Sequence, residues 1–398
     1  MLSRRAKNIQ PSPTLSLAAK AKELKAEGND VISLTVGEPD WNTFPEVVDV
    51  AIESMKSGNT KYVPPVGIPA LRKAIAEDYN TKFSTNYSDV NVSVSTGAKF
   101  ILFAAFQAVI DPGDEVIIPS PFWVSYPEMV TLAEGVPVVV KCDKESRFKM
   151  TPQLLESSIT EKTKMVLLNS PSNPTGMVYS QSELKALAEV LKKHPNILVL
   201  SDDIYNLLVF NERGLAPHLL EACPELESRT ICVNGASKAY SMTGWRVGWA
   251  LGPKEVIKAM GSYQSQSVSC ASGFSQEASL YALKNTEDKV RASVEVLKQR
   301  KQKLSDKLNA IDGIEVEEPE GAFYIWLNVL GIQGKSYKGK KLESSSDVAK
   351  QLLDDEMVAT VPGDAFGLDG YLRLSYALSE ERGLEACDRI ANFCSQLS

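Results

Sequence analysis

Short β-branched apolar runs alternate with helical stretches over most of the first 251 residues of this 398-residue chain, and no other feature restricts the fold as strongly. The runs 32–36, 92–95, 115–119, 136–141, 165–169, 197–201, 230–234 and 247–251 read as strands. Between them, 99–110, 123–133 and 182–193 carry helical patterns. A chain that alternates in this way builds a mainly parallel sheet covered on both faces, an α/β architecture. Ligands of such sheets bind beyond the carboxyl ends of the strands. Chemistry is therefore expected just after each run.

From 272 to 311 the pattern becomes long and helical. After Gly313 come short strands at 314–317, 322–329, 358–361 and 371–376, with helices near 346–355 and 379–396, which read as a smaller α+β unit. The expected division is a large domain over 31–290, a small domain over 291–398, and an N-terminal segment over 1–30 that joins the small domain. The stretch 331–346 is rich in Gly, Lys and Ser. Its Gly334-Lys335-Ser336 resembles the end of a phosphate-binding loop, but Val329 stands where the first glycine is required, so it reads as a solvated surface loop.

The formal charge of −7 argues against a nucleic-acid partner, which needs clustered Lys and Arg. It leaves room for a small basic pocket. Six cysteines are scattered without a CxxC pair, the pattern of reduced, mostly buried thiols in a cytoplasmic protein. No apolar run approaches a membrane span, and the start, Met1-Leu2-Ser3-Arg4-Arg5, lacks the apolar core of a signal peptide. The two histidines, His194 and His218, read as surface loop residues, which argues against a His base or a multi-His metal site.

Four polar clusters fall at strand ends. They are Asn173-Pro174-Thr175-Gly176, Ser201-Asp202-Asp203-Ile204-Tyr205, Ser237-Lys238, and Thr243-Gly244-Trp245-Arg246-Val247-Gly248. Alone, each is ordinary: a turn, a helix cap, a surface lysine, a loop. Together they supply what an aldehyde cofactor with a pyridine ring and a phosphate needs. Lys238 is an amine for the aldehyde, Asp202 an acid for the ring nitrogen, Asn173 and Tyr205 donors for the ring oxygen, and Arg246 a cation for the phosphate.

With these clusters in order, the chain resembles the class I/II, fold-type I aminotransferases that depend on pyridoxal 5′-phosphate (PLP), and within them the bacterial-type aspartate aminotransferase branch. The likeness runs from Ser3-Arg4-Arg5 to the final helix. It includes Val36-Gly37-Glu38-Pro39-Asp40, Lys61-Tyr62-Val63-Pro64-Pro65-Val66-Gly67, Ser120-Pro121-Phe122-Trp123 and Arg373-Leu374-Ser375-Tyr376. The resemblance implies a large domain with a mainly parallel seven-stranded sheet plus a small α+β domain. It implies that Lys238 is the catalytic residue that holds PLP and shuttles the proton. Trp123 would stack on the ring, and Gly97-Ala98-Lys99 and Ser237 would join Arg246 around the phosphate. Tyr62 would reach the phosphate of a neighbouring subunit, making a homodimer with shared sites. Arg373 would clamp the substrate α-carboxylate with Gly37 leaving room beside it, Trp123 and Asn173 would also face the substrate, and Lys99 would meet a distal carboxylate, with Thr14 and Ser12 adding hydrogen bonds.

Two departures stand out. Asp203 occupies a position where most relatives carry Glu, and it is expected to point away from the site. Gly235 stands where some relatives place a phosphate-binding Ser, a contact that a glycine has no side chain to make. The implied activity is a ping-pong transamination between aspartate or glutamate and 2-oxoglutarate or oxaloacetate. The alternatives are transamination of aromatic amino acids or prephenate, the latter disfavoured by the neutral Gln10, and a C–S lyase on the same fold. Asp202→Asn is expected to lose most activity, because a neutral amide no longer stabilises a protonated ring nitrogen, and Asp203→Asn much less. Steady-state rates of the two variants check this, and equal losses would mean that the acids are assigned wrongly.

Overall fold

The computed structural model describes residues 1–3, 6, 7, 9 and 13–398. Arg4, Arg5, Gln10 and Ser12, named above, lie outside the described residues. The first eight strands are β1 (Ile32–Ser33), β2 (Val92–Ser95), β3 (Glu115–Ser120), β4 (Val136–Lys141), β5 (Thr163–Asn169), β6 (Leu198–Asp202), β7 (Thr230–Gly235) and β8 (Gly248–Leu251). Seven of them form one sheet in the order β2-β8-β7-β6-β5-β3-β4. Strand β8 is antiparallel to both neighbours, and every other pairing in the sheet is parallel. The carboxyl ends of β2, β3, β5, β6 and β7 therefore share one edge with the amino end of β8.

The alternation of the strands decides what each face holds. In β5, Met165 and Leu167 pack with Ile101 and Phe106 of helix Ala98–Val109. Val166 and Leu168 face the other way, onto Leu184 and Leu187 of helix Gln181–Lys192. Each such aliphatic side chain contributes about 1.5–3 kcal/mol on full burial. In β6, Leu200 joins the first face and Val199 the second. Continued to the end of β6 and one residue beyond, the same parity sends Ser201 and Asp203 to the second face and Asp202 to the first.

The run at 32–36 does not join this sheet. Strand β1 pairs instead, in parallel, with a short strand near the C-terminal half. The remaining strands are β9 (Glu315–Glu317), β10 (Tyr324–Asn328), β11 (Ser336–Tyr337), β12 (Lys340–Lys341), β13 (Val358–Ala359), β14 (Val361–Pro362) and β15 (Tyr371–Ser375). Strand β13 is the partner of β1, and β14-β15-β10-β9 form an antiparallel sheet. The expected surface loop at 331–346 contains the β11–β12 ladder, and Tyr337 in it is fully buried against Phe393. A buried aromatic anchors what composition alone marks as solvated. Helix Pro13–Ala26 packs Ala21 with Leu353 and Ala359. Among the described residues no helix is long and apolar enough to cross a membrane, and all six cysteines are free, four of them buried.

Helix Ala98–Val109 starts hard against β8. Gly97, at its N-cap, has φ 91°, and a Cβ on Gly248 would fall on the backbone of Gly97 and Ala98. A side chain at Gly248 must push the helix off the sheet, a form of overpacking worth about 1–3 kcal/mol. Gly248→Ala is expected to lower the thermal midpoint by several degrees, whereas Gly244→Ala, whose new Cβ would meet nothing within 4 Å, leaves it nearly unchanged. Equal midpoints for the two variants would contradict this packing.

Candidate functional site

A cavity of about 330 Å³ opens at the carboxyl edge of the sheet. The segments that follow five of the strands ending there contribute to it. Ala98 and Lys99 come after β2, Trp123 after β3, Asn173 after β5, Asp202 and Tyr205 at and after β6, and Ser237 and Lys238 after β7. Arg246 lies just before β8, in a left-handed residue with φ 55° that ends the turn Thr243–Trp245. Thr14 of the N-terminal helix, Gly37 after β1, Tyr324 of β10 and Arg373 of β15 complete the lining.

Asp202 and Lys238 form the floor. Asp202 is 3% exposed; Oδ2 accepts from the Tyr126 hydroxyl at 2.6 Å and Oδ1 from the Ile204 N–H at 3.3 Å. Burial nevertheless pushes its carboxyl up to about 6, against the lowering by those two bonds. A cation facing it would reverse that shift. The Lys238 amine donates to the Gly37 carbonyl at 2.5 Å. Burial brings it down to about 8, with Glu38 opposing and the Arg373 and Arg246 charges assisting. At pH 7 about a tenth of such amines are neutral, against well under a thousandth of ordinary lysines.

The remaining charges are cations. Arg373 is 3% exposed; Nη2 donates to the Thr35 carbonyl at 2.6 Å and Nη1 to Asn173 Oδ1 at 3.1 Å, and its buried Nε has no partner among the described residues. Burial lowers its guanidinium from the usual value. Arg246 stays exposed at the mouth, donates through Nη1 to the Thr243 carbonyl at 2.7 Å, and covers Gly97 so closely that a Cβ there would meet Nη2 at 2.5 Å. Lys99, also exposed, holds its amine 4.8 Å from the Trp123 ring centroid. Partial desolvation in the cleft, then the Arg246 charge, lowers that amine. Four cations and one carboxylate thus line a cleft in a chain of net charge −7, a focusing arrangement for polyanionic ligands.

Among the described residues, the site residues singled out from the sequence converge here, with two exceptions. Gly97 lies just behind the wall, beneath Arg246. Tyr62 is far from enclosed, with 90% of its surface exposed on the turn before Gly67. Thr14 lines the cavity from the N-terminal helix. Gly235 has no room for a side chain: a Cβ would meet the Val247 carbonyl at 2.9 Å and the Gly248 Cα at 3.0 Å. A Ser there would need β8 to move.

Three contributors went unassigned in the sequence. Tyr126 lies one helical turn beyond Trp123, so the i, i+3 spacing could have marked it. Asn169, at the end of β5, donates to the Asp202 carbonyl at 2.8 Å and accepts from the Asn173 N–H at 2.9 Å, locking two loops together. Tyr324 sits among the alternating residues of β10, where nothing local distinguishes it from core.

On the opposite face, Asp203 accepts from Ser201 Oγ at 2.6 Å and from the Tyr79 hydroxyl at 3.2 Å, and meets His218 Nε2 at 3.1 Å. His218 is 4% exposed and stacked on Phe83, contrary to the surface position expected of it. Its burial follows from Asp203, a buried acid that needs donors. Cys232 lies close enough to complete an Asp–His–Cys cluster. However, the Leu220 N–H donates to Nδ1, so in the neutral ring the proton sits on Nε2, facing Asp203. A metal-bound histidine has the reverse arrangement, and the cluster is a hydrogen-bond network.

The cradle of Gly97, Lys99 and Arg246, the Asp202 carboxyl and the Lys238 amine fit a ligand carrying a phosphate, a basic ring nitrogen and an aldehyde, respectively. The profile of the family described as aminotransferase class I and II matches residues 29–390. The chain is 46% identical over 396 residues to an aspartate aminotransferase of Rhizobium meliloti (strain 1021), covering 99% of this chain and 96% of the relative. It is also 46% identical over 391 residues to a probable aspartate/prephenate aminotransferase of Rickettsia bellii, covering 98% of each. Among solved structures, that of the Thermus thermophilus aspartate aminotransferase with maleate superposes with a TM-score of 0.92 at 41% identity, covering 99% of both chains. Sheet order, cavity and whole-length similarity agree: the chain belongs to the class I and II aminotransferases.

Proposed function

We propose that this protein is a PLP-dependent transaminase that moves an amino group between aspartate or glutamate and 2-oxoglutarate or oxaloacetate. The observation that carries this reading is the half-buried Lys238 amine, brought down to about 8, in one cleft with the buried Asp202 and three further cations. When bound, PLP supplies a protonated pyridine ring that withdraws electrons from the substrate Cα. Lys238 would hold PLP through its aldehyde carbon. Asp202 would keep the ring nitrogen protonated, since a facing cation returns its carboxyl to the ionised form. Asn173 and Tyr205 would donate to the ring oxygen, Trp123 would stack on the ring, and Arg246, Ser237 and the amides at Gly97-Ala98-Lys99 would hold the phosphate.

The substrate would be oriented by charge. Arg373, held by Asn173 and Thr35, would bind the α-carboxylate, with its Nε left free for it among the described residues. Lys99 would meet the distal carboxylate of a dicarboxylic substrate, since a second carboxylate left unpaired in the cleft is costly. The maleate bound by the Thermus thermophilus relative is a dicarboxylate, which supports this. Once freed, the Lys238 amine would take the proton from the substrate Cα, a task for a base with a pKa near the working pH. A neutral amine is available there because burial, not a partner acid, sets its state.

Within the same reading, 31–290 is the PLP-binding domain, 291–398 is the small domain, and 1–30 moves with the latter to bring Thr14 over the substrate and exclude water. Tyr62, 90% exposed, would be completed by a second subunit whose phosphate site it enters. The cytoplasm suits the free thiols. The name of the Rickettsia bellii relative adds prephenate as a second amino acceptor to be assayed.

Stopped-flow absorbance of the PLP-loaded protein tests the reading. Aspartate and glutamate are expected to bleach the cofactor band in a single turnover, and 2-oxoglutarate to restore it; no change with either amino acid would end the proposal. Lys99→Met is expected to lower kcat/KM for aspartate at least roughly tenfold more than for alanine, the loss of one charge-assisted bond. Equal losses, or loss of PLP binding, would assign Lys99 to the phosphate instead.

A further inference from the structure

Tyr324 stands at the junction of the two halves of the site. It is 1% exposed, on β10, and its hydroxyl lies 2.8 Å from the Tyr205 hydroxyl. In the antiparallel register Tyr324 pairs with Ser375, and Trp326 with Arg373. Tyr324 and Arg373 are thus diagonal neighbours on one face. The Arg373 guanidinium carbon lies 4.6 Å from the Tyr324 ring centroid and 5.1 Å from that of Phe366. The hydroxyl is also pinned from the other side: a Cβ on Gly37, whose carbonyl accepts from Lys238, would lie 2.7 Å from it. One side chain therefore touches the Tyr205 hydroxyl, the face of Arg373 and the wall at Gly37.

We propose that Tyr324 is a positioning residue that couples cofactor and substrate: its hydroxyl ends a hydrogen-bond chain through Tyr205 to the PLP ring oxygen, and its ring is the platform for Arg373. The inference rests on the functional reading above. In the free protein either hydroxyl can donate to the other. Burial keeps both phenols protonated, well above the usual value for Tyr205 and above it for Tyr324. An ionised ring oxygen takes the one proton that Tyr205 has to give. The Tyr205 oxygen is then only an acceptor, and Tyr324 is the donor already in place. Such chains polarise cooperatively, so Tyr324 strengthens the bond from Tyr205 to the ring oxygen. The Arg373 cation over the Tyr324 ring acts in the same direction, by drawing charge from the phenol that must donate.

The two roles separate by substitution. Tyr324→Phe removes the hydroxyl and keeps the platform; Tyr324→Leu removes both. Each variant is loaded with PLP as the full chain, its visible absorption is titrated against pH, and its aspartate KM and kcat are measured. In Tyr324→Phe the ring oxygen is less well stabilised when ionised, so the proton it shares with the Lys238 nitrogen is held to higher pH. The midpoint is expected to rise by roughly half a pH unit, with aspartate KM within about twofold of the parent. Tyr324→Leu is expected to show the same rise together with an aspartate KM roughly tenfold higher. An unmoved midpoint in Tyr324→Phe overturns the chain, and a KM that rises as much in Tyr324→Phe as in Tyr324→Leu overturns the platform. If the parent itself takes up no PLP, the functional reading fails first and the inference with it.

Discussion

The end of strand β6 divides two neighbouring carboxylates between opposite faces of the sheet, and the site depends on that division. Leu200 and Val199 commit their faces to the two hydrophobic layers, so the parity of the next residues is not free. Asp202 emerges into the cleft and Asp203 beneath it. A slip of one residue would turn Asp203 into the cleft and Asp202 away from it, and would mismatch the side chains packed in both layers. The aliphatic layers thus supply the energy that holds a carboxyl where water cannot stabilise it. With the acid fixed at the floor, Lys238 faces it from the next strand, and the loops after β2, β3 and β5 have one edge on which to converge.

The acid beneath is held differently. Asp203 is surrounded by Ser201, Tyr79 and His218, three polar groups that satisfy it at the cost of burying a histidine. Asp202 receives two hydrogen bonds and, among the described residues, no ion pair, and burial pushes its carboxyl up despite the Lys238 charge nearby. The contrast separates a structural acid from one held ready for a ligand charge. The segment 37–41, which carries the Gly37 wall of the cleft, is tied down too. Arg300 grips Asp40 through both guanidinium nitrogens at 2.7 and 3.0 Å, and Ser241 Oγ donates to the Trp41 carbonyl, so the Gly37 wall is linked both to helix Glu287–Asn309 and to the loop carrying Lys238. Movement of that helix would therefore be felt at Gly37 and, through it, at Tyr324.

Much of this was legible in the sequence. The strands of the main sheet were marked by β-branched runs, and the clusters holding Asn173, Asp202, Lys238 and Arg246 by their place after or before those runs. What was not legible has a common cause: it depends on contacts between distant segments. The run at 32–36 has the composition of a sheet strand, but it pairs with Val358 and Ala359, more than 300 residues on. His218 looked like a loop residue because its partner, Asp203, is a tertiary neighbour across a turn. Tyr337 gave a polar stretch a buried anchor through Phe393. Tyr324 obeys the period of a core strand, and only the register of β10 against β15 brings it beside Arg373. Local pattern shows where elements begin and which face is apolar; it does not show which buried polar groups meet.

The central claim is that Lys238 carries the cofactor. Loading the protein with PLP, reducing it with borohydride and mapping the modified peptide by mass spectrometry tests this without relying on turnover. The account predicts one pyridoxyl group per chain, on Lys238, with Lys99 unmodified. Label distributed over surface lysines, or concentrated on Lys99, would contradict it.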